Sequence, residues 1–347
     1  MDMIDLRSDT VTWPTPAMRE AMANAELGDD VYGEDPTINE LEAEAADMLG
    51  KEAGLLVTSG TQGNIAAILA HCGRGDEVVL GDKAHTFKYE AGGIAALGGI
   101  QPHIVPVQDD GTLLLDDIRH AVRGPNIHFP PTRLISIENT QGTVGGMPLD
   151  LAYTESVAEI ARENDLKLHI DGARIFNAAA ALGVSAKELI EPADSMTFCL
   201  SKGLCAPVGS VVVGDKAFIE QARRVRKMLG GGTRQGGVFA AAGLIAIREM
   251  VDRLPEDHQN ACDLAEGLAQ IPHLAVEVER TKTNFVFFDL EESAPIPVED
   301  FIAKLEEQGI MMRPYPGFER RFRAVTHYWI TPERVQQVID TVKTLLS

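Results

Sequence analysis

A lysine and an aspartate, each closing an apolar stretch, carry the first chemical signal in this sequence. Leu168-His169-Ile170-Asp171-Gly172-Ala173-Arg174 ends in an acid with an arginine three residues on. Thirty-one residues after Asp171, the segment Thr197-Phe198-Cys199-Leu200 runs into Ser201-Lys202-Gly203. A lysine and a carboxylate so placed suit pyridoxal 5′-phosphate (PLP). The amine forms a Schiff base with the aldehyde, and the acid holds the protonated pyridine nitrogen so that the ring acts as an electron sink. Residues at the carboxyl ends of buried strands reach the crevice where such sheets bind ligands. A lysine drawn into a desolvated site also becomes more nucleophilic.

A phosphate site is the next requirement. Thr58-Ser59-Gly60-Thr61-Gln62-Gly63-Asn64 follows an apolar strand and opens an alanine-rich helix. Free N–H groups and the dipole at that helix start suit a phosphate monoester, and Ser59 or Thr61 equally suits plain N-capping. No Gly-Lys-Ser/Thr follows, so it is not a Walker A loop. The run Gly230 to Gly237 lacks a preceding strand and the spacing of a dinucleotide fingerprint. It reads as a flexible loop presenting Arg234 to an anion, or as a hinge. His85, after the strand Val78–Leu80, is placed to stack on a planar cofactor. Arg323, just before a C-terminal strand, is placed to fork onto a carboxylate. His128 reads as a loop histidine.

Other chemistries are weaker. His169 and Asp171 share one strand face, as a metal pair would. Arg174 repels a divalent ion and no third ligand stands at a telling spacing, so no metal is expected. A Ser201/Lys202 dyad fails because adjacent residues of an extended segment point opposite ways.

The elements that must position these groups follow from pattern. Residues 1 to about 35 read as an arm with one short helix near 17–25. Strands then alternate with helices: Leu55–Val57, Val78–Leu80, Ile104–Val107, Leu134–Ile137, Leu168–Ile170, Met196–Leu200 and Ser210–Val213 make about seven. Continuous apolar strands between helices predict an α/β fold with a mostly parallel sheet covered on both faces. After about residue 250 the pattern becomes α+β, with strands at 275–278, 285–290, 311–314 and 324–329 and helices at 298–307 and 332–346. The expected division is 1–250, arm and large domain, and 251–347, small domain.

The 347 residues include 31 basic and 52 acidic ones, a formal net charge of −21. That disfavours nucleic acid and anionic membrane as partners. The basic cluster Arg223, Arg224, Arg226 reads as a solvated helix face. The N-terminus, from Met1 to Arg7, lacks an apolar signal region, and Val238–Ile247 is too short to span a bilayer. Four cysteines without a Cys-x-x-Cys pair fit a reduced cytoplasm.

Taken together, these motifs resemble the L-type threonine aldolases of the aspartate-aminotransferase-like, fold type I PLP superfamily. The resemblance spans nearly the whole chain: Ile4 to Thr10, Asp29 to Gly33, Ser59 to Asn64, His85, Glu138-Asn139-Thr140, Asp171 to Arg174, Ser201-Lys202-Gly203, Gly231 to Gln235 and Arg323 to His327. It implies retro-aldol cleavage of L-threonine or L-allo-threonine to glycine and acetaldehyde, with PLP as cofactor and a small amino acid as substrate. It implies Lys202 as the Schiff-base lysine, Asp171 on the pyridine nitrogen, His85 on the ring, Ser59, Gly60 and Thr61 on the phosphate, and Arg234 completing that site. Ser8, Arg174 and Arg323 become the substrate-carboxylate clamp, His128 a group near the β-hydroxyl, and Lys227 a recurrent basic position near the site. It further implies a dimer or dimer of dimers with sites at the subunit interface. Two positions depart from the family pattern: Gln141 where many members have histidine, and Cys205 where many have glycine. The competing readings are another fold type I lyase, β-eliminating or glycine-hydroxymethyltransferase-like, and a PLP-binding protein without turnover.

Overall fold

The computed structural model describes residues 3–347; Met1 and Asp2, part of the N-terminus considered above, lie outside the described residues. Its centre is a seven-stranded sheet. From edge to edge the strands run Ala53–Val57, Ser210–Gly214, Ser195–Cys199, Lys167–Asp171, Thr132–Glu138, Glu77–Gly81 and Gln101–Val105. Six run in the same direction, and only Ser210–Gly214 is reversed, antiparallel to both of its neighbours. The expected strands therefore form, in a mostly parallel sheet. Three are buried from end to end and three more over most of their length, which is why they read as mostly apolar runs rather than alternating ones.

Helices cover both faces. Gly60–His71 lies across the sheet so closely that a Cβ on Gly63 would stand 2.5 Å from Thr197 Cγ2. Several helices carry no signal strong enough to have been expected: Pro36–Met48, Ile175–Leu182 and Ala186–Ile190. Pro36–Met48 begins at a proline that sequence reading took as part of an arm. Proline is well placed at a first helical position, and Asp35 caps it by accepting from Ile38 N–H.

A second core lies under a three-stranded antiparallel sheet, Leu274–Val276, Phe285–Leu290 and Arg321–Val325. Phe322 stacks on Phe288 and meets Phe301 edge-on there. Ile4 and Leu6 of the N-terminal arm are buried in this same core. Ile4–Asp5 pairs in parallel with Ile310–Met311, so the arm is stitched to the C-terminal part of the chain. The strand expected at 311–314 is reduced to Ile310–Met311. The last strand is Arg321–Val325, three residues earlier than expected.

Arg226 does not sit on a solvated helix face. It is buried, with Nη2 on Asp30 at 2.7 Å and Nη1 on the Leu56 carbonyl at 2.7 Å, while Arg223 reaches Glu42 at 2.6 Å. Its partners come from segments about 170 and 196 residues away, which no local pattern reveals. Among the described residues no helix is long and apolar enough to cross a membrane.

Candidate active site

Parallel strands deliver chemistry to one edge of the sheet. Glu138 and Asp171 end adjacent strands in direct register, Lys202 follows the next strand, and His85 follows Glu77–Gly81. They converge on a cavity of about 320 Å³ lined also by Ser8, Thr10, Tyr89, Gly142, Thr143, Arg174, Tyr315 and Arg323. A second cavity of about 450 Å³ adjoins it through Thr143, Tyr315 and Pro316.

The Lys202 turn is built by its neighbours. Thr12 Oγ1 donates to the Lys202 carbonyl at 2.9 Å and Cys205 N–H donates to the same oxygen at 2.9 Å. Cys205 itself has φ +63°, the left-handed region that costs a residue with a Cβ roughly 1 kcal/mol. That is the physical reason glycine suits this position better. Gln141, the other departure, is buried. It donates to the Lys83 carbonyl and to Glu138 and accepts from Thr143 N–H, so it supports the cavity wall.

Asp171 is buried on the cavity floor. Its Oδ2 accepts from Asn64 Nδ2 at 2.8 Å, and its Oδ1 accepts from Ala173 N–H at 3.2 Å. His85 Nδ1 meets Glu90 Oε1 at 2.8 Å, which leaves Nε2 for the cavity. Burial alone would push the His85 imidazolium down, but the Glu90 bond and the charges of Asp171 and Glu90 outweigh it, and the net shift is upward. Glu90 is raised by burial first and by Asp171 second; its bonds to His85 and Asn64 offset only part of this. Burial and the nearby Asp171 push Glu138 up to about 7, against the lowering effect of N–H groups from Gly142 and His85.

The arginines divide differently from expectation. Arg174 is tied to Asp9 by two bonds of 2.6 Å, from Nε and Nη2. Burial would raise Asp9, yet Arg174 holds its carboxyl well below the usual range. Arg174 therefore reaches the cavity with its other edge: Nη1 lies 3.9 Å from where a Cβ on Gly142 would stand. Arg323 has no such partner. Its Nε is buried without a hydrogen bond, and no carboxylate among the described residues pairs with it. The guanidinium lies over the rings of Phe285 and Tyr315 at 5.3 and 5.2 Å. Its one hydrogen bond is a long one, from Nη2 to the Arg7 carbonyl at 3.5 Å, so a half-buried guanidinium with no carboxylate partner lines the cavity, poised for an incoming carboxylate.

Ser59, Gly60 and Thr61 stand at the start of helix Gly60–His71 and do not line the 320 Å³ cavity. Ser59 Oγ caps Gln62 N–H, which leaves the N–H groups of Gly60 and Thr61 with no carbonyl behind them. A Cβ on Gly60 would meet Cys199 Sγ at 2.9 Å, so this loop packs directly beside the strand that leads to Lys202. A phosphate cradle next to the lysine, an acid for a pyridine nitrogen and a histidine at the ring position fit PLP.

Three expected residues are elsewhere. His128 lies in an exposed turn between Ile127 and Phe129, its N–H bonded to Asn126 Oδ1. Arg234 pairs with Asp29 at 3.1 Å and is half exposed. Lys227 lines a separate surface hollow with Asp30 and Arg226. Conversely, sequence reading assigned no role to Asp9, Asn64, Glu90, Tyr89 or Tyr315. Asp9, Asn64 and Glu138 fell inside quoted motifs, so their location was visible and their partners were not.

The model of the beta-eliminating lyase family matches residues 5–291. The chain is 50% identical over 343 residues to low-specificity L-threonine aldolase 1 of Arabidopsis thaliana, covering 98% of this chain and 95% of that one. It is 45% identical over 336 residues to low specificity L-threonine aldolase of Escherichia coli O157:H7, covering 97% of each. The solved threonine aldolase of Leishmania major has the same fold, with a TM-score of 0.84 at 20% identity over 99% of this chain and 100% of that one.

Proposed function

We infer the reaction from one premise: the chain belongs to the beta-eliminating lyase family. It is a fold type I, PLP-dependent lyase that cleaves L-threonine and related β-hydroxy-α-amino acids to glycine and an aldehyde. The observation that carries this reading is the near-full-length identity to low-specificity L-threonine aldolases, joined to a cavity where Lys202, Asp171, His85 and an unpaired Arg323 meet.

Bound PLP supplies an electron sink for the pair released when Cα–Cβ breaks. Lys202 would hold its aldehyde carbon, Asp171 its pyridine nitrogen, His85 its ring, and Ser59, Gly60 and Thr61 its phosphate. Arg323 and Ser8 bind the substrate carboxylate, with Arg174 contributing its free edge. Fixing that carboxylate would orient Cα in the cavity and so select which of its bonds breaks. His85 Nε2, directly or through a water, takes the β-hydroxyl proton, and Glu90 on Nδ1 steadies the imidazolium that results.

The remaining assignments complete the proposal. His128 and Arg234 serve a neighbouring subunit's site in a dimer of dimers. The reading is supported by their absence from the lining of this cavity and by the exposure of Ile127 at 98% and Tyr32 at 75%. The chain divides into an arm and large domain, 1–250, and a small domain, 251–347, and works in the cytoplasm.

Purified protein given L-threonine or L-allo-threonine is expected to release glycine and acetaldehyde in equal amounts. Release of ammonia and a keto acid instead would select β-elimination and overturn this reading. An Arg323→Gln protein is expected to raise KM on the order of 10- to 100-fold, the worth of a charged hydrogen bond. Arg323→Lys restores little, because a point charge does not reproduce the fork. Steady-state kinetics that left KM unchanged would remove Arg323 from the carboxylate site.

A further inference from the structure

Behind Asp171 runs a chain of polar side chains, buried except for the partly exposed His71 at its far end, that the cleavage itself does not use. His71 Nε2 lies 2.7 Å from Ser195 Oγ, and His169 Nδ1 lies 2.9 Å from the same oxygen. His169 Nε2 lies 3.4 Å from Asn64 Oδ1. Asn64 Nδ2 then donates to Asp171 Oδ2 at 2.8 Å and to Glu90 Oε1 at 2.9 Å. That Glu90 oxygen is the one bonded to His85, while Glu90 Oε2 is buried with no partner.

The direction of every bond follows from the Asn64 amide. Both amide hydrogens of Asn64 go to carboxylates, so its Oδ1 must accept, and His169 Nε2 must carry a hydrogen. Burial pushes His169 down to about 3, so the ring is neutral and its Nδ1 accepts. Ser195 therefore donates to His169 and accepts from His71 Nε2. His71, likewise held down by burial to about 4, is anchored by stacking on Phe218. A reversed Asn64 amide would point its oxygen at two carboxylates, and this chain forbids it.

We propose that Asn64 is a positioning residue for the cleavage: its amide couples Asp171 to the His85–Glu90 pair, and the His169–Ser195–His71 chain fixes which way that amide faces. The need for such a clamp is electrostatic. Ligand atoms of His85, Glu90 and Asp171 lie within 4.8 Å of one another. Two carboxylates that close repel, and the amide offers each a hydrogen. Around His85 stand Glu90 and Asp171, which favour its charged form, Lys202, which opposes it, Glu138 on its N–H, and the Tyr89 ring at 5.7 Å. Without the Asn64 donor, Glu90 takes up a proton more readily and His85 loses its charged partner. Its neutral form then persists to lower pH.

The proposal rests on the reading of Asp171 and His85 as cofactor contacts. The test is the pH profile of kcat/KM together with the dissociation constant for PLP, in the cofactor-loaded protein. Asn64→Leu is expected to move the acid limb down by roughly half a pH unit or more and to weaken PLP about tenfold. Ser195→Ala, which touches neither carboxylate, is expected to move the acid limb the same way by less. An Asn64→Leu protein with wild-type acid limb and PLP affinity would overturn the proposal. A shift in Asn64→Leu with none in Ser195→Ala would overturn the role of the chain. If Asn64→Leu does not fold, an unchanged acid limb in Ser195→Ala decides against the whole. Failure of the underlying reading is distinguishable, since wild-type protein would then show no PLP binding at all.

Discussion

A Lys202→Ala protein is expected to cleave L-threonine on the order of 10⁴-fold more slowly than wild type while melting at nearly the same temperature. The amine is the group that would carry the cofactor covalently, and nothing else in the cavity can replace it. Arg174 and Arg323 are guanidiniums, and Lys83 and Lys88 line the neighbouring cavity. Folding should be spared because the turn is held through the Lys202 backbone. Its carbonyl takes bonds from Thr12 and Cys205, and neither needs the side chain. Acetaldehyde release measured beside a thermal melt separates the two effects. A rate within tenfold of wild type would remove Lys202 from the chemistry.

The second large effect is expected at Asp171. Asp171→Asn keeps the shape, and an amide oxygen can still accept from Asn64 or from Ala173 N–H. It cannot balance a protonated pyridine nitrogen. The expected loss is roughly 10²- to 10³-fold in kcat, typical of removing one fixed electrostatic group from a reacting centre. Stability should change little, because the new amide nitrogen gives up one of the two bonds Asp171 accepts while repulsion in the buried site is relieved. Asp171 is among the causes that raise both Glu90 and Glu138, so removing its charge relieves repulsion in the buried site. A variant that lost activity and melted many degrees lower would point to a structural role instead.

Both predictions concern residues that the sequence exposes plainly, and the reason is local. Asp171 ends and Lys202 follows a buried, mostly apolar strand, and a parallel sheet covered on both faces writes itself as such strands. Ser59 to Asn64 is legible for the same reason, being a strand-to-helix turn within one short segment. What stayed hidden is long-range pairing. Asp9 neutralises Arg174 across 165 residues, and Asn64 reaches Asp171 across 107. Arg226 looked like a surface cation because its acids lie far away in sequence. The helix Pro36–Met48 was missed because its opening proline and capping aspartate resemble turn residues when read without the helix they begin. The distinction between Arg174 and Arg323 belongs to the same class. Only the fold reveals that one is already paired and the other waits.

The central claim is that this cavity is a PLP site closed by Lys202. The most direct test is reduction of the cofactor-loaded protein with borohydride, digestion, and mass spectrometry of the modified peptide. A reduced pyridoxyl phosphate group on Lys202 is the expected result. The same group on any other lysine, or no modified peptide from protein that shows the cofactor's absorbance, would contradict it.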